Sequence, residues 1–160
     1  MKLLRILLCL FAFAMCSVVS MMAQNEQDFA SKYMSLYAKG TSLQCTTVSP
    51  LMLDKMMNLP DVKSDNQMKE VLSQLKSIRV VDNTNTKETW QLYNNALRLA
   101  QHNSARYKRY AQRQSKRLFV RRKGGFIVEM VLFMKHNEHF KLINLTGNMT
   151  DEFLKQVMNF

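Results

Sequence analysis

Glu129 is the acidic residue whose setting most strongly suggests a chemical role. It lies between two apolar triplets, Phe126-Ile127-Val128 and Met130-Val131-Leu132, in a segment that is typical of a β-strand. A carboxyl group buried in such a strand acts either as a general acid or base or as one partner of a structural ion pair. If Gly124-Gly125 forms a two-residue turn, Arg122 lies diagonally beside Glu129. We therefore predict a structural ion pair between Glu129 and Arg122.

Two further groups of residues could bind a metal. The run His136-Asn137-Glu138-His139 holds two imidazoles and a carboxylate, and together with Glu129 these groups would suit a small hydrolase or a metal-dependent enzyme. Zinc requires three or four convergent ligands, which a single turn does not supply. The thioethers of Met52, Met56 and Met57 suit copper(I), but their helical spacing is also that of core packing, which we favour. We predict no metal and no cofactor, and keep the enzyme as the alternative function.

Cys45 is the only cysteine after residue 23, so no disulfide can form within the rest of the chain. A lone thiol could act as a nucleophile or pair with another chain. The surrounding Leu43-Gln44-Cys45-Thr46-Thr47-Val48 is typical of a β-strand, where a cysteine is most often buried and inert. We therefore predict a buried, unreactive Cys45.

A cationic segment without any acidic residue extends over residues 106–123. The C-terminal end of a helix attracts cations because of the helix dipole, but this segment holds more cations than one helix end needs. We predict that it forms a basic face for an anionic partner. Its nine basic residues are Arg106, Lys108, Arg109, Arg113, Lys116, Arg117, Arg121, Arg122 and Lys123.

Residues 1–23 have the three parts of a secretory signal peptide. Lys2 and Arg5 precede a long apolar run, and Ala23 comes directly before a polar stretch. The alternatives are an uncleaved membrane anchor, because the apolar run reaches the lower limit of spanning length, and a lipoprotein attached through Cys16. Met15 disfavours the lipoprotein because it is larger than the residue that lipid attachment requires at that position. We expect an exported protein in the periplasm or the cell envelope.

The formal net charge of +11 indicates an anionic partner. Nucleic acid would be the first expectation for a cytoplasmic protein of this charge, and export argues against it. The leading hypothesis is a non-enzymatic binding or interaction module that meets an anionic envelope surface, a glycan or an acidic protein. Membrane contact would be peripheral at most.

The elements that must position these residues predict one α+β domain over residues 24–160. Apolar periodicity indicates helices over residues 25–39, 50–59 and 64–75, strands over 43–48 and 77–81, and a long helix from Asn85 toward Gln114 with a break near residues 102–104. Three more strands follow as a β-meander over residues 117–145, and Thr150 caps a last helix. The prediction is an antiparallel-rich sheet of about five strands with helices packed on it.

Three segments of this pattern resemble a family of exported Bacteroidota proteins known as domain of unknown function 4252. They are Val48-Ser49-Pro50-Leu51-Met52-Leu53, the hairpin around Gly125-Phe126-Ile127-Val128, and the ending from Phe140 to Thr150. The resemblance covers nearly all of the chain after the signal peptide and implies the same fold and location. Since the family has no established activity, it implies no site residues.

Overall fold

The computed structural model describes residues 27–113, 116–136 and 138–158, so the predicted signal peptide lies outside the described part. Within that part, no helix has both the length and the apolar composition needed to cross a membrane. The helices are α1 (Phe29–Tyr37), α2 (Pro50–Met57), α3 (Pro60–Ser64), α4 (Asn66–Ser73), α5 (Thr89–His102) and α6 (Asp151–Met158). The strands are β1 (Leu43–Val48), β2 (Leu75–Asn83), β3 (Lys108–Arg113), β4 (Lys116–Lys123), β5 (Phe126–His136) and β6 (His139–Met149).

These strands form one antiparallel sheet in the order β1-β2-β6-β5-β4-β3. The last strand in the chain, β6, therefore lies in the middle of the sheet and joins β2 to the β3–β5 hairpins. The predicted single α+β domain with a C-terminal meander is confirmed. At the β4–β5 turn, Gly124 and Gly125 have φ angles of 58° and 83°, and Lys123 lies opposite Phe126 as predicted.

The two faces of the sheet are covered by different helices, because successive side chains of each strand point to opposite faces. On the first face, α1 and α5 bury Phe29, Tyr33 and Leu92 against Phe133 and Phe140. On the second face, α6 packs on the half of the sheet that contains β4 and β5. The short helices α2, α3 and α4 cover the side chains of β1 and β2 on that same face.

The prediction of one long helix from Asn85 toward Gln114 is wrong for the second half of that segment. Helix α5 ends at His102, in the region where a break was expected, and the chain continues as the strand β3. In the part of the chain that the structure describes, the sheet therefore has six strands where about five were predicted. The segment 108–113 has no apolar stripe of its own, and pairing with the strongly apolar β4 decides its conformation.

Two predictions about burial are also wrong. Cys45 is exposed at the centre of β1, which is the edge strand of the sheet. Met52 and Met56 are 49% and 37% exposed, so their helical spacing does not place them in the core. Of the three methionines, Met57 packs against the cluster beneath α2, α3 and α4.

Gly147 marks the closest approach of β6 to the α4–β2 junction. A Cβ atom on this residue would lie 2.0 Å from the carbonyl oxygen of Gln74 and 3.0 Å from the Cα of Leu75. The same carbonyl accepts a hydrogen bond from the backbone N–H of Asn148 at 2.9 Å. Only glycine allows this contact between two backbones.

The start of β1 is held by the carboxylate of Glu88. One oxygen of Glu88 accepts hydrogen bonds from the backbone N–H and the hydroxyl of Ser42, both at 2.8 Å, and the other accepts from the side chain of Asn85 at 3.0 Å. The backbone and hydroxyl donors of Ser42 hold the pKa of Glu88 below its usual value. Since the folded-state pKa is lowered, the stability that this contact contributes is present above the unfolded-state pKa and is lost as the pH falls through the folded-state pKa.

We expect Ser42→Ala to raise the pKa of Glu88 toward its usual value, because the hydroxyl donor is removed while the backbone donor remains. The carboxyl carbon of Glu88, followed by NMR during an acid titration, measures this shift. Ser73→Ala, at an exposed site on α4, is the control and should leave the titration unchanged. The same Glu88 titration in wild type and Ser42→Ala would contradict the assigned contact.

Candidate functional site

Glu129 lies at the centre of a buried polar network and is 0% exposed. Its Oε1 accepts a hydrogen bond from the backbone N–H of Phe29 at 2.6 Å and one from the side-chain Nδ2 of Asn144 at 3.0 Å. Its Oε2 accepts from the hydroxyl of Tyr107 at 3.0 Å and from Nε of Arg121 at 2.9 Å. We call Glu129, Asn144, Tyr107, Arg121 and the N-terminus of α1 the Glu129 network.

The network fixes the beginning of α1 on the first face of the sheet. The first backbone N–H groups of a helix have no partner within the helix. Here Glu129 accepts from Phe29, Oδ1 of Asn144 accepts from Ala30 at 2.9 Å, and the N-cap residue Asp28 accepts from Ser31 at 2.8 Å. The carboxylate also suits the positive end of the helix dipole.

An ion pair and a hydrogen bond from two more arginines support the same helix end. Arg79 on β2 lies 3.1 Å from the carboxylate of Asp28. Arg106 donates a hydrogen bond to the backbone carbonyl of Gln27 at 3.2 Å. Residues 27–30 are thereby held by side chains from β2, β5, β6 and the segment that leads into β3.

Burial raises the pKa of Tyr107 well above its usual value, and the negative charge of Glu129 adds to this effect. The raised pKa favours the protonated hydroxyl, which is the form that donates the hydrogen bond to Glu129. A tyrosine held in this state serves as a structural donor rather than as a general base.

The predicted ion pair is correct in kind and wrong in its partner. A bulge between Arg121 and Arg122 shifts the register, so that Arg121 lies opposite Glu129 and Arg122 lies opposite Ile127. Arg122 turns to the second face and pairs with the carboxylate of Asp151, at the start of α6. This pairing lowers the pKa of Asp151, chiefly through the hydrogen bond from Arg122.

The arrangement around Glu129 suits structural support rather than catalysis. Each carboxylate oxygen already has two donors, and the group has no exposed surface where a substrate could reach it. His136 lies seven residues further along β5, roughly 23 Å away at the usual rise of a strand. In the described residues no three His, Cys, Asp or Glu side chains lie close enough together to hold a metal ion. Glu129 and the histidine turn therefore do not come together as the alternative enzyme would require.

The nine basic residues predicted as a face lie along a hairpin at one edge of the sheet. We call β3, β4 and the residues that flank them at 106 and 107 the basic edge. Lys108, Arg109, Lys116 and Lys123 are exposed on it, while Arg117 is half-buried. The backbone of Arg113 pairs with that of Lys116, and its side chain lies outside the described residues. The remaining three basic residues, Arg106, Arg121 and Arg122, make the structural contacts described above.

Sequence reasoning missed Asn144, Tyr107 and the N-terminus of α1 as members of the Glu129 network. Asn144 had a signal that could have found it. Phe140 and Leu142 precede it at a spacing of two, so the alternation places Asn144 among buried side chains, where a polar group must have a partner.

The fold and the saturated network together define a single-domain α+β protein whose most buried polar residues serve the architecture. The chain belongs to the family described as Domain of unknown function (DUF4252), whose model matches residues 33–157. The family resemblance of the sequence is thus confirmed. No curated protein matches the chain.

Proposed function

We propose that this protein is an exported, non-enzymatic binding module of the periplasm or cell envelope, and that its basic edge binds an anionic partner. One observation carries the proposal. Besides Arg122, which pairs with Asp151, four exposed cations lie on two neighbouring strands in a stretch, residues 106–123, that contains no acidic residue. A surface of this kind attracts phosphate or carboxylate groups over a distance set by the ionic strength.

A structural explanation accounts for part of this charge. Natural sheets protect their edge strands with lysine, arginine and bulges, which prevent pairing with other chains. β3 has both, since Lys108 and Arg109 are exposed on it and a bulge lies between Arg109 and Ala111. Protection of an edge does not require cations on the next strand. The exposed Lys116 and Lys123 on β4 therefore support a binding role in addition to protection.

The partner that fits is a surface with many anionic groups. Strand alternation places the cations on both faces of the hairpin, which disfavours one small ligand in one pocket. Lipid headgroups, acidic glycans and acidic protein surfaces all supply repeated negative charge. Export, which the signal-like residues 1–23 support, disfavours nucleic acid.

We expect the protein to bind vesicles that contain anionic lipid, and to bind them less as the salt concentration rises. A cation near such a surface contributes about 1 kcal/mol, so replacing Arg109, Arg113, Lys116 and Arg117 together with Gln should weaken binding by roughly ten- to a thousandfold. Co-sedimentation at low and high salt measures both effects.

The matched control replaces four lysines elsewhere, Lys32, Lys39, Lys55 and Lys63, with Gln, because these side chains are exposed and the change in net charge is the same. Weaker binding in the basic-edge variant than in this control supports a local site. Equal loss in both variants would show that net charge alone is responsible. An acidic polysaccharide and a neutral vesicle, tested in parallel, distinguish a lipid partner from a glycan.

A further inference from the structure

The two edge strands of the sheet, β3 and β1, differ in how well they are protected against pairing with another strand. At one end, β3 is protected by exposed cations and a bulge. At the other end, β1 has neither. Its six residues contain no charged side chain and no proline, and they pair with β2 in an unbroken register from Leu43 opposite Asn83 to Val48 opposite Ile78.

β1 is also accessible. Within the described residues it pairs with β2 alone, so its outer row of backbone N–H and C=O groups faces away from the sheet. Gln44, Cys45 and Thr46 are exposed at its centre. A regular, uncharged edge strand of this kind is a template for pairing with another strand.

We propose that β1 is a dimer interface, at which the β1 strands of two copies pair in antiparallel fashion and join their sheets. The distribution of charge favours a second copy as the occupant. Each chain has a formal net charge of +11, and the basic edge lies at the opposite end of the strand order from β1. Pairing through β1 therefore keeps the two most cationic regions as far apart as the sheets allow, which limits repulsion.

The difference between the edge strands β1 and β3 also explains why the assembly would stop at two copies. Pairing of β1 with β3 of another copy would leave a free edge at each end and lead to open filaments. The cations and the bulge of β3 oppose such pairing. Pairing of β1 with itself uses one patch twice and closes the assembly around a two-fold axis.

Exposed apolar side chains that follow β1 closely in the chain would add to the contact. Leu51 and Met52 follow β1 by three and four residues at the start of α2, and they are 64% and 49% exposed. A strand pair of six residues is small for a stable interface, and side chains beside the edge enlarge the buried area. In a symmetric antiparallel pair one residue lies opposite its own copy, and the exposed centre of β1 places Cys45 or Thr46 there.

Sedimentation equilibrium of the purified protein tests the proposal. We expect a monomer–dimer equilibrium with no larger species, and a dimer that persists or strengthens as salt screens the repulsion between the copies. Binding of an anionic partner at the basic edge should instead weaken as the salt concentration rises. The failure of one proposal therefore does not imply the failure of the other. Thr46→Lys, which places a charge at the centre of β1, should weaken dimerisation at least tenfold.

Gln91→Lys is the matched control, because it adds the same charge at an exposed position of α5 and should leave the dimer unchanged. A short bismaleimide should link two wild-type chains through Cys45, which reports on the distance between the two β1 strands. Linking should fail in Cys45→Ser and fall in Thr46→Lys. A monomer at all concentrations, open-ended oligomers, or a dimer that Thr46→Lys does not weaken would each overturn the proposal.

Discussion

Replacing Glu129 with Gln should lower the free energy of unfolding by about 3–5 kcal/mol, the usual effect of removing one partner from a buried ion pair. The carboxylate receives four donors, and an amide would direct its own NH2 group at two of them. Arg121, whose side chain is 15% exposed, would lose its charged partner. Because folded domains are stable by only ~5–15 kcal/mol, such a loss is large, and thermal or urea unfolding measures it.

A double-mutant cycle separates the ion pair from the rest of the network. Arg121→Gln combined with Glu129→Gln should cost less than the sum of the two single changes, because the two side chains are in contact. Arg122→Gln is the control, since Arg122 contacts Asp151 on the other face, and its effect should add to that of Glu129→Gln. Strict additivity between Arg121 and Glu129 would show that their side chains do not meet.

Gly147→Ala should also be strongly destabilising, by about 1–3 kcal/mol or more, the usual cost of inserting an extra group into a tightly packed site. The new Cβ atom would lie 2.0 Å from the carbonyl oxygen of Gln74, and this neighbour is backbone, which cannot turn aside as a flexible side chain does. Relief requires β6 to move away from the α4–β2 junction. That movement would stretch the hydrogen bond from Asn148 to Gln74 and disturb the packing of the adjacent strand β2.

Asn148→Ala is the control for Gly147→Ala, because it changes the neighbouring residue of the same strand at an exposed side chain. Its midpoint of thermal unfolding should stay close to that of the wild type. A Gly147→Ala protein with the wild-type midpoint would show that the two backbones are further apart than the structure places them.

Local signals predicted those parts of the fold that depend on neighbouring residues. Gly124-Gly125 predicted the hairpin because only a few residues tolerate positive φ, and the apolar runs on either side predicted its strands. Thr150 predicted the start of the last helix, and its hydroxyl accepts a hydrogen bond from the backbone N–H of Phe153 at 3.2 Å. The strand β3 lacked such a signal, since its conformation depends on pairing with β4.

Only part of the candidate site was predicted, because local residues indicate burial but not the partners that folding brings together. Apolar neighbours on both sides of Glu129 indicated burial, and a buried carboxylate needs a positive partner. Which arginine supplies it depends on a bulge, and no residue type in β4 marks one. The hydrogen bond from Phe29 crosses 100 residues of chain and depends on how α1 docks, which local patterns do not encode.

The central position of β6 has a consequence for how the chain reaches this fold. Without residues 139–149, β1–β2 and β3–β5 would be two separate small sheets, each with an open inner edge. The contacts that join them link residues far apart in sequence, and such topologies fold slowly and expose strand edges on the way. Residues 27–30 are held by Glu129 and Asn144, whose bonds to Phe29 and Ala30 span 100 and 114 residues of the chain. Folding of this chain therefore depends on the docking of β6 between β2 and β5, and a chain truncated before β6 should behave as an aggregation-prone intermediate.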